Sequence, residues 1–560
     1  MMLLVEFITV VLTVVCVFLL GAPIALWQVK DFSPAMIRVS LYYGIAILIV
    51  ITVVANLFIP LRSPGALAIV LAVVALAALA TLWVRSRAVV VLSSPSWNPL
   101  RGFNLLLIVV LAVVLGWMLI ASSRAPTNYD SGLYHIPAIW YAAEYPTIPG
   151  ITNLYHSFGF SNSLTTIAAW ISNGPMGLES YRVVNSVFIL ILFIDIAMRL
   201  ASNRRKSVGT KILLASMAFF VAPMIGMVDY WVTSPTFDTP VAILTFMSVA
   251  ALADCLTERR TQSADITIAL LTLSIASSMR QHYWFLFAFT AATLLWVVYR
   301  RGDGRERLLY WIGILFAFVI FFVMIARDYI LSGWVMYPYK TVAFNVDWIA
   351  PDPAALISST KLWARSPTPA YQQTGDGWGW IRPWLGANLI SWVFIGIFVA
   401  LIVTLIILLI SRRLWRPRSL IALLVPQLLF LATWFFAGAP HVRYVWAPLL
   451  LFGILPLAWA WQSLGTREKL SETLSRLVTL AISLELIAAV VLSAIVVWPR
   501  LAVDLPDIQV ETVELNSTID LLIPQGTDQC WENFPVCSGM SSEGLTPRGS
   551  EITDGFTHER

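Results

Sequence analysis

The segment NYDSGLYH at 128–135 places one carboxylate, one imidazole and two phenols within eight residues. It continues through Trp140, Tyr141, Glu144, Tyr145, Asn153 and Tyr155 to His156, so that two of the five histidines of the chain fall in this one stretch. Asp130, Glu144, His135 and His156 are groups that take and give protons, and a positioned carboxylate or imidazole is what general acid–base chemistry needs. The competing account is an interfacial aromatic belt whose polar residues simply face water.

More ionisable residues recur at the ends of apolar stretches. Asp229 and Asp238 bracket one short polar segment, and Arg280 and His282 break another. Arg327 and Asp328 end a long apolar run, Lys340 follows it, and His441 and Arg443 lie in a tight turn. Charges near hydrocarbon are costly and usually face a cavity or one another. Snorkelling to headgroups is the alternative for Arg280 and Arg443, and a local structural pair is the alternative for Arg327–Asp328. Guanidinium and ammonium groups gathered at an outer-leaflet cavity suit a phosphate-bearing lipid. Trp348, Trp363, Trp378, Trp380 and Trp384 crowd the segment 331–387, where flat aromatic faces can stack on a sugar or anchor at the headgroups. No phosphate-binding glycine loop, HExxH or CxxC pair is present, which disfavours an ATP-driven pump.

The elements that must position these groups are transmembrane helices. Of 560 residues, 59% are hydrophobic and 12% charged, too apolar for a water-soluble surface and too apolar for disorder. Runs of about 20 apolar residues span a bilayer as helices. They predict an all-α polytopic membrane protein with about fourteen spans: 2–24, 39–60, 65–84, 103–121, 181–199, 211–229, 239–255, 266–279, 283–299, 308–330, 388–411, 418–437, 445–463 and 477–497. The pair 266–279 and 283–299 is short and could instead turn around below the membrane surface.

Seven short loops hold 23 of the 36 basic residues, among them Lys30, Arg38, Arg199 and Lys211, and all seven fall on one side if fourteen spans alternate. Basic loops stay in the cytoplasm. The protein is thus expected in the plasma (inner) membrane with both termini outside, and with external segments 122–180, 331–387 and 498–560. The first should carry interfacial helices lying on the membrane. The last is acidic, with eleven Asp and Glu against three Arg, and the whole pattern argues against nucleic acid. Cys530 and Cys537 lie in it with six residues between them, placed for a disulfide where oxidation is permitted, while Cys16 and Cys255 read as buried thiols.

These features together resemble the GT-C superfamily of membrane glycosyltransferases, with many spans, a long external loop carrying an early Asp, interfacial helices in that loop, and cations facing a lipid-linked sugar. NYDSGLYH with EYPTIPGITNLYHSFGFSNS, and the tail CWENFPVCSG…LTPRGSEITDGF, resemble bacterial membrane proteins of surface-polysaccharide loci. The resemblance implies a GT-C-like core over 101–497, an N-terminal three-helix addition over 1–100 and an external tail over 498–560. It implies transfer of a sugar from a polyprenyl-phosphate donor to a glycan or lipid-linked acceptor, with membrane lipids as surroundings. Asp130 would be the catalytic base. Arg280 and Arg443 would face the leaving phosphate, His282 and His441 would assist, and His135, Glu144, His156, Asp238, Arg327 and Lys340 would complete the binding site. Ser131 and Gly132 stand where some relatives carry a second acidic residue. The resemblance fixes no cofactor, and a divalent metal is possible, with Asp238 or Glu144 joining Asp130 as a second carboxylate. The alternatives are a polysaccharide polymerase or ligase, and a lipid-linked glycan transporter or flippase without catalysis.

Overall fold

The computed structural model describes residues 2–87, 102–202, 207–226, 232–258, 263–366, 377–411, 417–464, 468–497, 505–540 and 543–558. Asp229, and ten of the loop cations (Arg101, Arg204, Arg205, Lys206, Arg259, Arg260, Arg412, Arg413, Arg416 and Arg467), lie outside the described residues.

The chain is an all-α polytopic membrane protein. The long segment 123–183 is preceded by α1 (Met2–Val29), α2 (Pro34–Asn56), α3 (Pro64–Arg87) and α4 (Gly102–Ser122). That segment holds the short helices α5 (Ile136–Glu144) and α6 (Ser163–Ile171). Then come α7 (Val184–Ala201), α8 (Val208–Gly226), α9 (Asp238–Thr257), α10 (Ser263–Met279), α11 (Tyr283–Arg301) and α12 (Gly304–Ser332). Two more short helices, α13 (Ala354–Arg365) and α14 (Ile381–Asn388), precede α15 (Trp392–Ser411), α16 (Pro417–Ala432), α17 (Trp446–Ser463) and α18 (Glu468–Val497). Each of the fourteen apolar segments anticipated from sequence is therefore helical. Among the described residues, eleven helices are long and apolar enough to cross a membrane, and α10 and the described part of α8 are shorter apolar helices.

Local signals set the ends. Ser33 caps α2 ahead of Pro34, its hydroxyl accepting from the Met36 amide at 3.4 Å. Asp303 and Glu306 form a reciprocal capping box on α12, which stops at Gly333 in the left-handed region (φ 74°). The turn Arg280–His282 separates α10 from α11, so the short pair is two distinct helices.

Glycine lets α1 and α2 touch backbone to backbone. A Cβ on Gly21 would lie 1.9 Å from the Ser40 carbonyl oxygen, and one on Gly44 would lie 1.7 Å from that of Val17. Both helices share one hydrophobic core with α7, α9, α10 and α17.

The helix ends sort into two faces. On one, the Leu61 amide donates to Ala142 O (3.0 Å), the Thr147 amide donates to Asn56 O (2.6 Å), and Arg182 reaches the beginning of α1. On the other, Gln28 Nε2 donates to Ser263 O (2.6 Å) and Arg301 donates to Leu256 O (3.0 Å). Between the faces runs α9, buried from Asp238 to Leu256, with a carboxylate near each end.

Arg38 and Arg199, counted from sequence among the loop charges, are instead inside the bundle. Arg38 Nε meets Asp195 at 2.5 Å, and Arg199 meets Asp195 at 3.0 Å and Asp254 at 2.6 Å. Asp265 stands 3.7 Å from Arg38 and 3.9 Å from Arg199, and every side chain in the network is at most 3% exposed. The network ties α2, α7, α9 and α10 together near the basic face. A second buried pair, Glu6–Arg182 at 2.9 Å, ties α1 to the start of α7 on the opposite face.

The helix α6, expected from sequence to lie on the membrane surface, is inside the bundle. Its residues are largely buried among α2, α5, α7 and α10, with Ser163 Oγ 2.7 Å from Ser278 Oγ and Thr166 Oγ1 3.2 Å from Thr52 Oγ1. The C-terminal tail forms two small antiparallel hairpins, β1 (Val510–Glu514) with β2 (Asp520–Pro524) and β3 (Leu545–Pro547) with β4 (Phe556–His558). Cys530 and Cys537 are joined in a disulfide with Cα atoms 5.9 Å apart, while Cys16 and Cys255 are free. Denatured protein should accordingly label at two thiols without reductant and four with it. Four in both conditions would mean that the bond does not form.

Candidate functional site

Asp130 ends the approach to one turn of π-helix, Ser131–His135, which runs directly into α5. Such turns are rare and are frequent at functional sites, because the extra residue re-aims the side chains around it. The turn is held at both ends. Asn128 Oδ1 accepts from the Asp130 amide at 2.8 Å, and the Gly132 carbonyl accepts from the amides of Cys530 (2.9 Å) and Trp531 (3.0 Å). Trp531 lies flat against Gly132, where a Cβ would stand 2.2 Å from the indole. The tail adds a bond from the Tyr129 hydroxyl to Asp528, which pushes the phenol up to about 12, and one from Gln529 Nε2 to Tyr129 O at 2.7 Å.

Three other segments converge on Asp130. Arg443, from the turn before α17, bonds Asp130 Oδ2 at 2.8 Å, and its Nε stands 3.4 Å from Asp238 Oδ2 at the start of α9. Arg280, from the α10–α11 turn, pairs with the other oxygen of Asp238. Its guanidinium is sandwiched between Phe237 (4.6 Å to the ring centre) and Tyr444 (4.5 Å). The result is a chain Asp130–Arg443–Asp238–Arg280, charge-balanced as it stands. Arg280 is 8% and Asp238 2% exposed, whereas Arg443 and Asp130 are 21% and 19% exposed. The outer pair is thus the one a ligand reaches, and the inner pair is its anchor.

Three histidines border this chain in neutral form. His441 stacks on Trp363 (4.6 Å, 6°), and its Nδ1 accepts from the Arg443 amide at 3.3 Å. That bond leaves the proton on Nε2. His135 packs edge-on to Phe237 and Tyr134, and His282 stacks on Phe430. Burial lowers His135 and His441 to about 4 and His282 to about 3, the adjacent Arg280 lowering His282 further.

An unfolded histidine titrates near 6.5. Between about 6.5 and 5 the unfolded chain therefore binds protons that the folded site refuses, so stability is complete above 6.5 and falls as the pH drops. The slope is at most about 1.4 kcal/mol per pH unit for each histidine. Melting curves from pH 7.5 to 5 should show this decline, and His135→Gln and His441→Gln should each flatten it. An unchanged slope in both variants would refute the assignment.

The remaining anticipated residues form no ion pair with this chain of charges among the described residues. Glu144 pairs with Arg62 at 2.8 Å near the surface, and Lys340 pairs with Asp352, both exposed. His156 packs against Tyr155 and Phe160. Arg327 is buried on α12, beside a separate cleft. Phe237, Tyr444, Trp531 and Gly132 were not singled out from sequence. Their only signal is proximity to residues that were, and an aromatic or glycine beside an ionisable residue is too common to select them.

A divalent ion does not fit this arrangement. The Arg443 guanidinium occupies the space between Asp130 and Asp238, Glu144 is engaged elsewhere, and no group of three His, Cys, Asp or Glu suited to a metal occurs among the described residues.

No curated protein and no solved structure matches the chain. A family model does match, over residues 2–450, a span that includes Asp130, Asp238, Arg280 and Arg443 and stops before the disulfide-bearing tail. The chain therefore belongs to the family described as a domain of unknown function, DUF8201.

Proposed function

We propose that the protein is a GT-C-like glycosyltransferase with fourteen spans, taking a sugar from a polyprenyl-phosphate donor at the external face of the plasma membrane. The observation that carries this reading is the partly open Asp130–Arg443 pair, a proton acceptor and a phosphate-binding cation side by side and anchored from behind by Asp238 and Arg280. The excess of basic residues in the loops of the opposite face supports a cytoplasmic position for that face. A donor already activated on lipid accounts for the missing nucleotide motif.

In this reading the donor phosphate engages Arg443, which keeps its contact with Asp238 as Asp130 is released. Asp130 takes the proton of the acceptor hydroxyl as that oxygen bonds to the anomeric carbon. The bond from the anomeric carbon to the phosphate oxygen breaks, and its electron pair leaves with the polyprenyl phosphate. Fixed guanidinium groups stabilise the charge that develops there, without reorganising at the moment of reaction. His441 Nε2–H is the neutral donor beside them.

The test is turnover in proteoliposomes with a panel of polyprenyl-monophosphate and polyprenyl-diphosphate sugars and membrane-extracted glycan acceptors. Transfer from a monophosphate donor is expected. Consumption of diphosphate-linked glycans alone would favour a polymerase or ligase. Uptake of label into the lumen with no new glycosidic bond would replace catalysis by transport.

A further inference from the structure

A second charged position lies apart from the chain of ion pairs. Arg327, on the last turns of α12, is 6% exposed, and its Nε has no hydrogen-bond acceptor. No carboxylate among the described residues forms an ion pair with it. The neighbouring Asp328 accepts from Gln281 Nε2 at 2.8 Å and lines a different cavity with Ser277 and Ser278. Asp328 is the one charge that acts on it, and a buried N–H such as that of Nε is costly to leave without an acceptor.

Arg327 lines a narrow cleft beside α5 and α12. The walls are Tyr141, Ile148, Phe160 and Leu331, and Thr165 adds a hydroxyl. The other polar groups there are engaged. Asn56 Nδ2 donates to Ala142 O and Tyr145 O, and Thr147 Oγ1 donates to Asn56 O. No carboxylate lines the cleft. Phe160 forms part of its wall and stands 6.2 Å, ring to ring, from Tyr134 of the Asp130 turn. The cleft therefore adjoins the candidate site behind the Tyr134–Phe160 partition.

We propose that this cleft is a second anion site, in which Arg327 binds a phosphate oxyanion carried on an apolar body. The charge calls for the oxyanion, and the aromatic and aliphatic walls call for a prenyl or acyl chain next to it. Binding is read without turnover, so the inference stands or falls independently of the transferase reading.

The experiment is equilibrium binding to full-length protein in non-ionic detergent, in phosphate-free buffer, with two probes, geranyl phosphate and inorganic phosphate. In wild type, geranyl phosphate should show a component that Arg327→Gln weakens at least tenfold, Arg327→Lys weakens less, and Arg443→Gln leaves in place. Ala138→Phe, which fills the cleft without touching the buried charge, should remove the same component, and it carries the test alone if Arg327→Gln fails to fold. If inorganic phosphate binds at this component as tightly as geranyl phosphate, the site takes free phosphate. If it binds tenfold more weakly or not at all, the site takes a lipid headgroup. Equal binding of geranyl phosphate by wild type, Arg327→Gln and Ala138→Phe, or no binding of either probe by wild type, would overturn the inference.

Discussion

Asp130→Asn is expected to lower sugar transfer by about a hundredfold or more, the usual order for loss of a general base, while leaving the melting temperature near that of wild type. The two halves of this expectation have separate causes. An amide accepts no proton at neutral pH, so the chemical step loses its base. Arg443, however, is not stranded, because Asp238 remains 3.4 Å from its Nε and 2% exposed, and Asp238 is itself anchored by Arg280. Asp130→Glu should recover part of the rate, since the carboxylate returns one methylene out of place. Arg443→Gln should be worse for donor binding than for the bound rate, because it removes the accessible cation. Equal turnover by Asp130→Asn and wild type, at matched protein, would exclude Asp130 as the base while leaving the reaction class standing.

The second large effect is on folding. Arg199→Leu removes the guanidinium shared by Asp195 and Asp254, both within 3.0 Å of it and essentially inaccessible. Breaking a buried ion pair from one side costs about 3–5 kcal/mol, because the stranded charge keeps its desolvation penalty. Asp195 retains Arg38, so Asp254 bears most of that penalty, although the Gly209 amide still donates to it at 2.8 Å. The folded fraction in membranes should fall sharply, and the midpoint of detergent-induced unfolding with it. Arg199→Lys should lose less, and Arg199→Leu combined with Asp254→Asn should recover part of the loss. Wild-type unfolding of Arg199→Leu would show that the network contributes little.

The helices were legible because a run of some twenty apolar residues has few alternatives to a helix in hydrocarbon, and every long helix falls where such a run does. Asp130, Asp238, Arg280 and Arg443 were legible one by one, as charges at the edges of those runs. Their pairing was not, because Asp130 and Arg443 stand 313 residues apart and periodicity carries no information across that distance. The same blindness hid that Glu144 pairs with Arg62 and Lys340 with Asp352, although both share the chemistry of the site residues. Arg38 and Arg199 read as loop charges because they sit one turn inside their helices, and hydropathy does not show that Asp195, Asp254 and Asp265 wait opposite. Gly132 drew notice only as a position where some relatives carry an acidic residue, yet its missing side chain is the seat for an indole from the far end of the chain.

That seat has a consequence for the order of events during biosynthesis. Tyr129 and its partner Gln529 are 400 residues apart. At about 5–20 residues per second, the ribosome needs roughly 20–80 s to make the second after the first. The helices that position Asp238, Arg280 and Arg443 are completed within that interval, and the backing of the Asp130 turn comes only at its end. A chain broken off between Val497 and Asp528 thus has every helix of the bundle and still lacks the support behind Gly132, so the last segment completes the site after the helices are made.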